Sequence, residues 1–367
     1  MNIFLDAFAD TNFGDDLFIH TIVKRYADHT FYMQPKKEYE TAYRQLVSSY
    51  PNICLTDDAD DVIFDRMDGM LIVGGDIFGS GADYSYMKER IRRIRKRGGF
   101  TAILGISLFP RYGLRSRWDL RWIFTQVDII VVRDRETCAQ LKQLAPRANV
   151  KASSDMAFTT DVSEIKKQPS EKGLLGISVR RKIQKGCDTY DTYCRSIADT
   201  AMAYLDRSEE HRVEFLALSC GVFDDRKVAA DIIALCPEVY HPRMSILPFV
   251  GDVEGYIRQM QACEKMLCTR FHALVFAILL DKTFVPIVYE EKMDRLLNEI
   301  GYQGIRPKYE EMPEVDAILE ALREELKGVD GQRSPHTTKW DLAEGAALAE
   351  YLTKAEGFFE ETDRFLQ

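Results

Sequence analysis

Short apolar runs alternate with longer amphipathic segments along the chain. The apolar runs lack a strict polar–apolar alternation, as is typical of strands in a parallel sheet that is covered on both faces. The amphipathic segments are predicted to be helices that pack on such a sheet. We predict strands over residues 2–7, 69–73, 101–106, 128–132, 174–179, 213–219, 265–268 and 284–288.

Helices are predicted between these strands and after the last of them. They cover residues 15–26, 84–97, 116–125, 135–144, 190–205, 226–235, 253–262, 271–280, 292–300, 315–326 and 340–366. Repeated β-α units of this kind specify a doubly wound sheet with right-handed crossovers. The fold class is therefore α/β.

A polar stretch that is poor in apolar residues, 161–173, is predicted to be a linker between two domains. We expect a Rossmann-like domain over 1–160 and a second over 174–310. The C-terminal helices, 311–367, can pack back on the first domain. Two Rossmann-like domains that face a cleft make a GT-B-like architecture.

Composition and charge exclude several classes of protein. Acidic residues outnumber basic ones by 58 to 49, which gives a net charge of −9 and argues against a nucleic-acid binder. The eight cysteines show no CxxC spacing and the six histidines no HxxxH or HExxH spacing, so no metal site is predicted. Without a signal peptide or an apolar run of about 20 residues, we expect a cytoplasmic protein with free thiols. The oligomeric state is left open.

The segment after the first strand carries the first candidate ligand site, because ligands bind beyond the carboxyl ends of parallel strands. There Asn12 can cap a helix, Gly14 permits a tight turn, and Asp15 lies in the first helical turn. Free N–H groups at this helix start can hold an anion. The segment also fits a plain capped turn.

Glycines and a serine follow the next two strands. Gly74 and Gly75 allow close approach of a ligand to the backbone, and Asp76 can hold a hydroxyl or orient a base. The spacing is not GxGxxG, so a dehydrogenase fingerprint is not supported. Ser107 can donate a hydrogen bond to a ligand oxygen, but its surroundings are not the GxSxG of a nucleophile elbow.

Two arginines and a histidine are the strongest candidates for binding an anion or for catalysis. Arg133 ends a strand and suits a phosphate or carboxylate, while the adjacent Asp134 is a good helix N-cap. Arg270 and His272 interrupt an otherwise apolar segment at the start of a helix, where the dipole favours an anion. A histidine there can equally be a hydrogen-bonded core residue. The neighbouring arginine, costly to bury without an anion, favours a ligand site.

The chain resembles the polysaccharide pyruvyl transferase family over about residues 8–300. The resemblance lies in motifs that occur in the family's order and spacing: NFGDD, VGGDIFG, GISLFP, VVRDRET, SDMAF, ISVRR and CTRFHALVFAILLDKTFVPIVYEEK. The last block, with R-x-H, then F-A, then P-I-V-Y-x-x-K, is the most specific of them.

This resemblance implies a GT-B-like fold and transfer of a pyruvate ketal (carboxyethylidene) group from phosphoenolpyruvate to two hydroxyls of a sugar. The domain over 1–160 is then the acceptor side and the domain over 174–310 the donor side. Phosphoenolpyruvate is then a co-substrate, no cofactor or metal is needed, and the acceptor is a glycan or a lipid-linked sugar. In this interpretation Arg133 and Arg270 hold the anionic groups of the donor, and Arg180 is a further candidate for its phosphate.

The same resemblance assigns the proton transfers and a further cation. His272 acts as general acid to the methylene carbon or to the leaving phosphate. Asp15 or Asp76 accepts a proton from the attacking sugar hydroxyl, and Lys292, which ends the most specific block, contributes to substrate binding.

Two other classes of function remain open from the sequence. A GT-B glycosyltransferase with a nucleotide-sugar donor would use similar arginines and a ribose-binding acid, for which Glu290 or Glu291 is available. A binding module without activity is disfavoured, because Arg270 and His272 would then be polar groups without purpose in an apolar segment.

A basic stretch predicts a peripheral contact with the inner face of the membrane. Seven of ten residues over 88–97 are Lys or Arg, and Leu114, Trp118 and Trp122 recur at helical spacing among arginines. The alternative is a solvated basic face, with Ile91 and Ile94 in the core and the tryptophans packed under the sheet.

Overall fold

A computed structural model describes residues 1–35, 37–56, 61–79, 82–108, 112–181, 187–323 and 342–366. The chain forms two compact units. The first comprises Met1–Asp10, Asp15–Thr160 and Tyr351–Gln367, and the second comprises Thr11–Gly14 and Asp161–Glu350.

The first unit is built on a parallel sheet. Within the described residues its seven strands are β1 (Asn2–Ala7), β2 (Thr30–Met33), β3 (Ile53–Leu55), β4 (Gly69–Val73), β5 (Phe100–Ile106), β6 (Ile129–Val132) and β7 (Val150–Ala152). They lie in the order β3-β2-β1-β4-β5-β6-β7, and each pairs in parallel with its neighbours. The chain thus winds outwards from β1 in both directions, as in a Rossmann fold.

Helices cover the sheet because its central strands are apolar along their whole length. β4, β5 and β6 are buried at every position, so each needs cover on both faces. The α-helices of this part of the chain are α1 (Phe13–Arg25), α2 (Glu40–Ser49), α3 (Ser85–Lys96), α4 (Leu114–Gln126) and α5 (Arg135–Leu144). Ile91 and Ile94 of α3 lie in the core, as in the alternative of a solvated basic face.

The second unit repeats the architecture on a smaller sheet. Its described strands are β8 (Leu174–Ser178), β9 (Arg212–Ala217), β10 (Met244–Pro248), β11 (Lys265–Cys268) and β12 (Thr283–Pro286). All pairings are parallel, in the order β10-β9-β8-β11-β12. The prediction of doubly wound parallel sheets is therefore confirmed for both units.

The remaining helices follow these strands. They are α6 (Ser163–Lys166), α7 (Asp188–Leu205), α8 (Asp225–Ile233), α9 (Val253–Ala262), α10 (Phe271–Leu279), α11 (Glu291–Glu299), α12 (Val315–Ala321), α13 (Leu342–Glu356) and α14 (Glu360–Leu366). Most of α10 is buried, which explains the apolar run that the sequence shows there.

The structure differs from the predicted elements in four short strands and at the linker. β2, β3, β7 and β10 were not predicted, and the predicted linker contains α6, whose Ile165 is buried in the second unit. The predicted helix over 340–366 is two helices separated near Gly357. Residues 324–341 of the predicted C-terminal segment, and Phe109 and Pro110 of the GISLFP motif, lie outside the described residues.

Helix α14 packs within the first unit. Asp363 accepts hydrogen bonds from Arg25 Nη2 at 2.6 Å and from the Tyr26 hydroxyl at 2.8 Å, and Glu360 pairs with Lys151 at 2.7 Å. The helices of the described residues include none that combines the length and apolarity needed to cross a bilayer.

Candidate functional site

In the first unit, Arg133 collects three residues from the loops that follow the strands. Its side chain follows β6 and is only 4% exposed. Nε donates to Ser107 Oγ at 2.5 Å, Nη2 to Asp76 Oδ1 at 2.8 Å and Nη1 to Asp155 Oδ2 at 3.5 Å. Burial acts to lower the pKa of Arg133, but these carboxylates outweigh it and raise the pKa above its ordinary value.

A second shell of hydrogen bonds fixes the serine. Ser107 Oγ donates to Asp134 Oδ2 at 3.2 Å, and Asp134 also accepts from the backbone N–H of Thr137 at 2.6 Å. Asp134 is therefore the N-cap of α5, as predicted. The single hydroxyl proton of Ser107 is donated to Asp134, and the oxygen accepts from Arg133. In this structure Ser107 therefore orients Arg133 and does not offer a proton to a ligand oxygen.

The two glycines after β4 make room for neighbouring side chains, Gly75 for Arg133 and Gly74 for Ile77. A Cβ on Gly75 would lie 2.7 Å from Arg133 Nη1, and Gly74 has a φ of 155°, where a Cβ would lie 2.5 Å from Ile77 Cγ2. From the sequence we expect a ligand to approach these glycines closely. The observed close approach at Gly75 is that of the Arg133 guanidinium.

Asp76 is the exposed member of this group. Its side chain is 40% exposed, while its partner Arg133 is buried. A buried guanidinium thus holds a solvent-facing carboxylate at the carboxyl end of the first sheet. This is a suitable arrangement for a hydroxyl acceptor or a base.

Asp16 is a functional candidate that the sequence analysis missed. It lies one residue after Asp15 in the first turn of α1, is buried, and its Oδ1 has no hydrogen-bond partner among the described residues. Burial, and then the nearby Asp15 and Asp10, raise the pKa of Asp16 well above its usual range. The signal in the sequence was a cluster of acids directly after an apolar strand.

In the second unit, Arg270 forms a bidentate pair with Asp225. Arg270 is the residue before α10, and Asp225 is the first residue of α8. Arg270 Nε donates to Asp225 Oδ2 at 2.9 Å, and Nη2 contacts the other carboxylate oxygen. Burial acts to lower the pKa of Arg270, but Asp225 raises it overall. Nη1 makes no hydrogen bond to any described residue.

The backbone around Arg270 is fixed by the end of β8. Ser178 Oγ accepts hydrogen bonds from the N–H groups of Thr269, at 3.0 Å, and Arg270, at 3.1 Å. The Thr269 hydroxyl is in turn 2.9 Å from the hydroxyl of Tyr193. The start of α10 is therefore held by side chains from two neighbouring elements.

His272 packs directly on Gly14. An ideal Cβ on Gly14 would lie 2.1 Å from Nδ1 of the His272 ring, so only glycine leaves the ring in this place. Asn12 Oδ1 accepts from the Gly14 N–H at 3.1 Å, and Phe13 N–H donates to Leu218 O at 2.8 Å. The NFGDD motif thus contributes Asn12 and Gly14 to the same unit as His272.

Arg180, Glu290 and Lys292 form a second charged group. The Arg180 guanidinium lies 4.4 Å from the ring centroid of Tyr289 and 3.3 Å from Glu290 Oε1. Lys292 Nζ lies 2.8 Å from the other oxygen of Glu290. Glu290, a candidate ribose ligand from the sequence, therefore bridges two cations.

The charged residues of the second unit follow adjacent strands. Arg180 comes after β8, Arg270 after β11 and Lys292 after β12, and these strands are neighbours in the sheet. No three His, Cys, Asp or Glu side chains in the described part of the chain are grouped so that they could hold a metal ion. What the second unit offers at this edge is positive charge for an anionic ligand.

Comparison with solved structures finds proteins of the same architecture at low identity. HepE from Anabaena, in complex with UDP and glucose, matches with a TM-score of 0.56 at 12% identity, covering 100% of this chain and 98% of that one. UDP-GlcNAc 2-epimerase from Neisseria meningitidis matches with a TM-score of 0.54 at 12% identity, covering 96% and 93%. UGT71G1 from Medicago truncatula, complexed with UDP-glucose, matches with a TM-score of 0.54 at 9% identity, covering 100% of this chain and 98% of that one.

These likenesses show the fold, which is the predicted GT-B-like architecture of two Rossmann-like units. No curated protein sequence matches the chain. The sequence model of one family, described as polysaccharide pyruvyl transferase, matches residues 12–291, which contain all the candidate residues except Lys292. The chain belongs to the polysaccharide pyruvyl transferase family.

Proposed function

We propose that this chain transfers pyruvate from phosphoenolpyruvate, as a ketal, to two hydroxyls of a sugar in a polysaccharide or its precursor. The observation that carries the proposal is the row of cations after β8, β11 and β12, with His272 two residues beyond Arg270. Phosphoenolpyruvate carries a phosphate and a carboxylate on one small carbon frame. Such a donor needs several cations within a short distance.

The donor anions are assigned to Arg180, Arg270 and Lys292. Arg270 is oriented by Asp225 and keeps Nη1 for a ligand oxygen. Arg180 and Lys292 share Glu290, so the group carries one net positive charge and is attractive to a phosphate. In this assignment the three cations neutralise the charge that develops on the leaving phosphate, and no metal is required.

His272 is assigned as the general acid. It gives a proton to the methylene carbon of the donor, which becomes a methyl group, while a sugar hydroxyl oxygen bonds to C2. The second hydroxyl oxygen then bonds to C2 as the bond from C2 to the phosphate oxygen breaks. Of the two hydroxyl protons released, one restores His272 and the other leaves with inorganic phosphate.

The base that receives a hydroxyl proton is assigned to Asp76 or Asp15. Asp76 is favoured by its exposure and by the buried Arg133 that orients it. Arg133 itself, which the resemblance made a donor ligand, is assigned a positioning role because its guanidinium is already bound by three side chains.

A nucleotide-sugar glycosyltransferase is the second candidate. Several proteins of the same fold were solved with UDP or UDP-glucose, among them HepE and UGT71G1. Against it, Glu290 is engaged by Arg180 and Lys292, and Glu291 pairs with Arg295 at 3.1 Å.

The experiment that separates the two is product analysis. Purified protein is incubated with a bacterial glycan extract and either phosphoenolpyruvate or UDP-glucose. The masses of the glycans are then measured by mass spectrometry. We expect a gain equal to one carboxyethylidene group, together with inorganic phosphate, only with phosphoenolpyruvate. A hexose gain with UDP-glucose, and none with phosphoenolpyruvate, would overturn the proposal.

A further inference from the structure

Helix α4 presents two large apolar side chains to solvent. Leu114 is 78% exposed and Trp118 is 72% exposed, one helical turn apart. The opposite face of α4 carries Leu120, Ile123 and Phe124, which are buried in the first unit. The exposed pair is therefore not needed to hold the helix on the sheet, and its exposure costs hydrophobic free energy in water.

Arginines surround this pair. Arg115, Arg117 and Arg121 are exposed, and none of them forms an ion pair with a residue that the structure describes. At 100° per residue, Arg117, Arg121, Leu114 and Trp118 fall within about 100° of the helix circumference. We call Leu114, Arg115, Arg117, Trp118 and Arg121 the α4 outer face.

Most cations of the basic helix α3 pair with carboxylates, and two of them contact α4. Lys88 Nζ pairs with Asp119 at 2.6 Å, and the Arg92 guanidinium lies 4.7 Å from the Trp122 ring centroid. Trp122 is half-buried under this cation, so it does not extend the exposed stripe that the sequence predicted. Lys88 and Arg92 of α3 are therefore engaged, whereas the exposed arginines of α4 lie beside exposed apolar side chains.

We propose that the α4 outer face is a docking surface for an anionic lipid bilayer. Tryptophan places its ring at the level of the headgroups, and arginines beside it reach lipid phosphates while their stems lie on apolar surface. The chain carries a net charge of −9, so attraction to an anionic surface has to come from a local cluster of this kind.

The charge of the face favours a bilayer over a second copy of the chain. In a two-fold dimer through this face, the arginines would meet the same arginines of the partner, and no carboxylate of the face would offset them. A bilayer supplies both the apolar layer for Leu114 and Trp118 and the phosphates for the arginines.

Sedimentation of the full chain with vesicles tests this proposal. We expect binding to phosphatidylcholine vesicles that contain phosphatidylglycerol, no binding to phosphatidylcholine alone, and a steep loss between low and high salt. Changing Arg117→Glu with Arg121→Glu should weaken binding at least about 30-fold. Changing Leu114→Ser with Trp118→Ser should weaken it about tenfold or more.

A matched control uses exposed lysines of the second unit. Lys167→Glu with Lys227→Glu changes the net charge by the same amount at side chains that are 69% and 80% exposed, and should leave vesicle binding close to that of the unchanged chain. Unchanged thermal unfolding of each variant confirms that it is folded.

Three results would overturn the proposal. The first is that the chain stays in the supernatant with anionic vesicles at low salt. The second is that the lysine control variant loses as much binding as the Arg117→Glu, Arg121→Glu variant. The third is that the Leu114→Ser, Trp118→Ser variant binds as well as the unchanged chain. The last would mark the face as a site for a soluble polyanion such as a nucleic acid. The assay does not involve turnover, so its outcome is independent of the proposed ketal transfer.

Discussion

At the scale of single residues, carboxylates orient a buried arginine in each unit. Asp225 is 1% exposed and holds two nitrogens of Arg270, while Arg133 is held by Asp76 and Asp155. Arginines fixed in this way lose little side-chain entropy when a ligand binds. Replacing one of these arginines by a neutral residue leaves its partner carboxylate without a counter-charge. Loss of one partner of a buried ion pair typically lowers the free energy of unfolding by ~3–5 kcal/mol.

This pairing determines how Arg270 should be tested. We predict that Arg270→Ala is destabilised by several kcal/mol, because Asp225 loses its counter-charge, whereas Arg270→Lys folds and loses donor affinity. Urea unfolding and calorimetric titration with phosphoenolpyruvate measure the two effects. Equal stability of Arg270→Ala and the unchanged chain would contradict the view that the pair is buried and mutually dependent.

His272 is expected to affect turnover and not donor binding. We predict that His272→Ala lowers kcat by ~10²–10⁴ while the affinity for phosphoenolpyruvate is retained, because a general acid acts in the transition state. The initial rate of phosphate release and a parallel titration measure the two quantities. Full turnover in His272→Ala would contradict the assignment of His272 as the general acid.

Gly14 offers an indirect test of the same histidine. Gly14→Ala places a methyl group where the His272 ring now lies, so the ring must move, and we expect kcat to fall by up to about 100-fold. Gly345→Ala is the control, since a Cβ there meets nothing within 4 Å. If the two variants turn over equally fast, the position of His272 is not critical.

The sequence indicated the centre of each site but not its partners. Arg270 and His272 were visible because they are polar in an apolar segment. Asp225 is 45 residues upstream of Arg270 and looks like an ordinary helix start, so their pairing exists only in the folded sheet. Asp16 was missed for a related reason, because burial of a carboxyl depends on tertiary packing.

At the scale of elements, Lys282 connects the turn after α10 to α9 and to the segment before β8. Lys282 Nζ donates to Gln261 O at 2.6 Å and to Ser170 Oγ at 2.7 Å. Burial lowers the pKa of Lys282 to about 8 from an ordinary value of 10.5. The unfolded chain therefore binds more protons than the folded chain between these two values.

This difference predicts a pH dependence of stability. Between pH 8 and 10.5 the free energy of unfolding of the unchanged chain should rise relative to that of Lys282→Met, by about 3 kcal/mol at most. Urea unfolding of both proteins at pH 7, 9 and 10.5 measures it, and groups other than Lys282 cancel in the comparison. A difference that is flat or falls with pH would contradict the burial of this amine.

Long or fully apolar strands were predictable and short, partly exposed ones were not. The edge strand β12 was predicted from its apolar run, whereas β2, inside its sheet but only four residues long and half-buried at two positions, was missed. β4 and β11 have the bounds that their apolar runs predicted, because a strand covered on both faces must be apolar throughout. β3, β7 and β10 lie at sheet edges, are partly exposed, and are only three to five residues long. Such strands carry almost no pattern of their own and form because the neighbouring strand offers hydrogen bonds.

At the scale of the whole molecule, each unit follows one topological rule, and the rule determines where chemistry can occur. In both sheets the chain starts centrally and winds outwards, so the loops after adjacent strands meet at one edge. The sequence predicted the fold class and this edge. It could not predict which of the charged residues at the edge are exposed to a ligand and which are bound to each other.

The proposed charge balance predicts the effect of chelators. Because Arg180, Arg270 and Lys292 are assigned to neutralise the donor, turnover with phosphoenolpyruvate should be unchanged within about twofold after exhaustive treatment with EDTA. Phosphate release before and after treatment measures this. Loss of turnover that only a divalent cation restores would contradict the assignment.

Donor binding tests the central claim most directly. Calorimetric titration of the full chain with phosphoenolpyruvate, and separately with UDP-glucose, should show binding of phosphoenolpyruvate that falls ~10–150-fold in Arg180→Ala. It should be unchanged in Arg212→Ala, whose arginine lies at the start of β9, at the other end of the same sheet. Tight binding of UDP-glucose with none of phosphoenolpyruvate, or equal affinity of the two variants for phosphoenolpyruvate, would contradict the account.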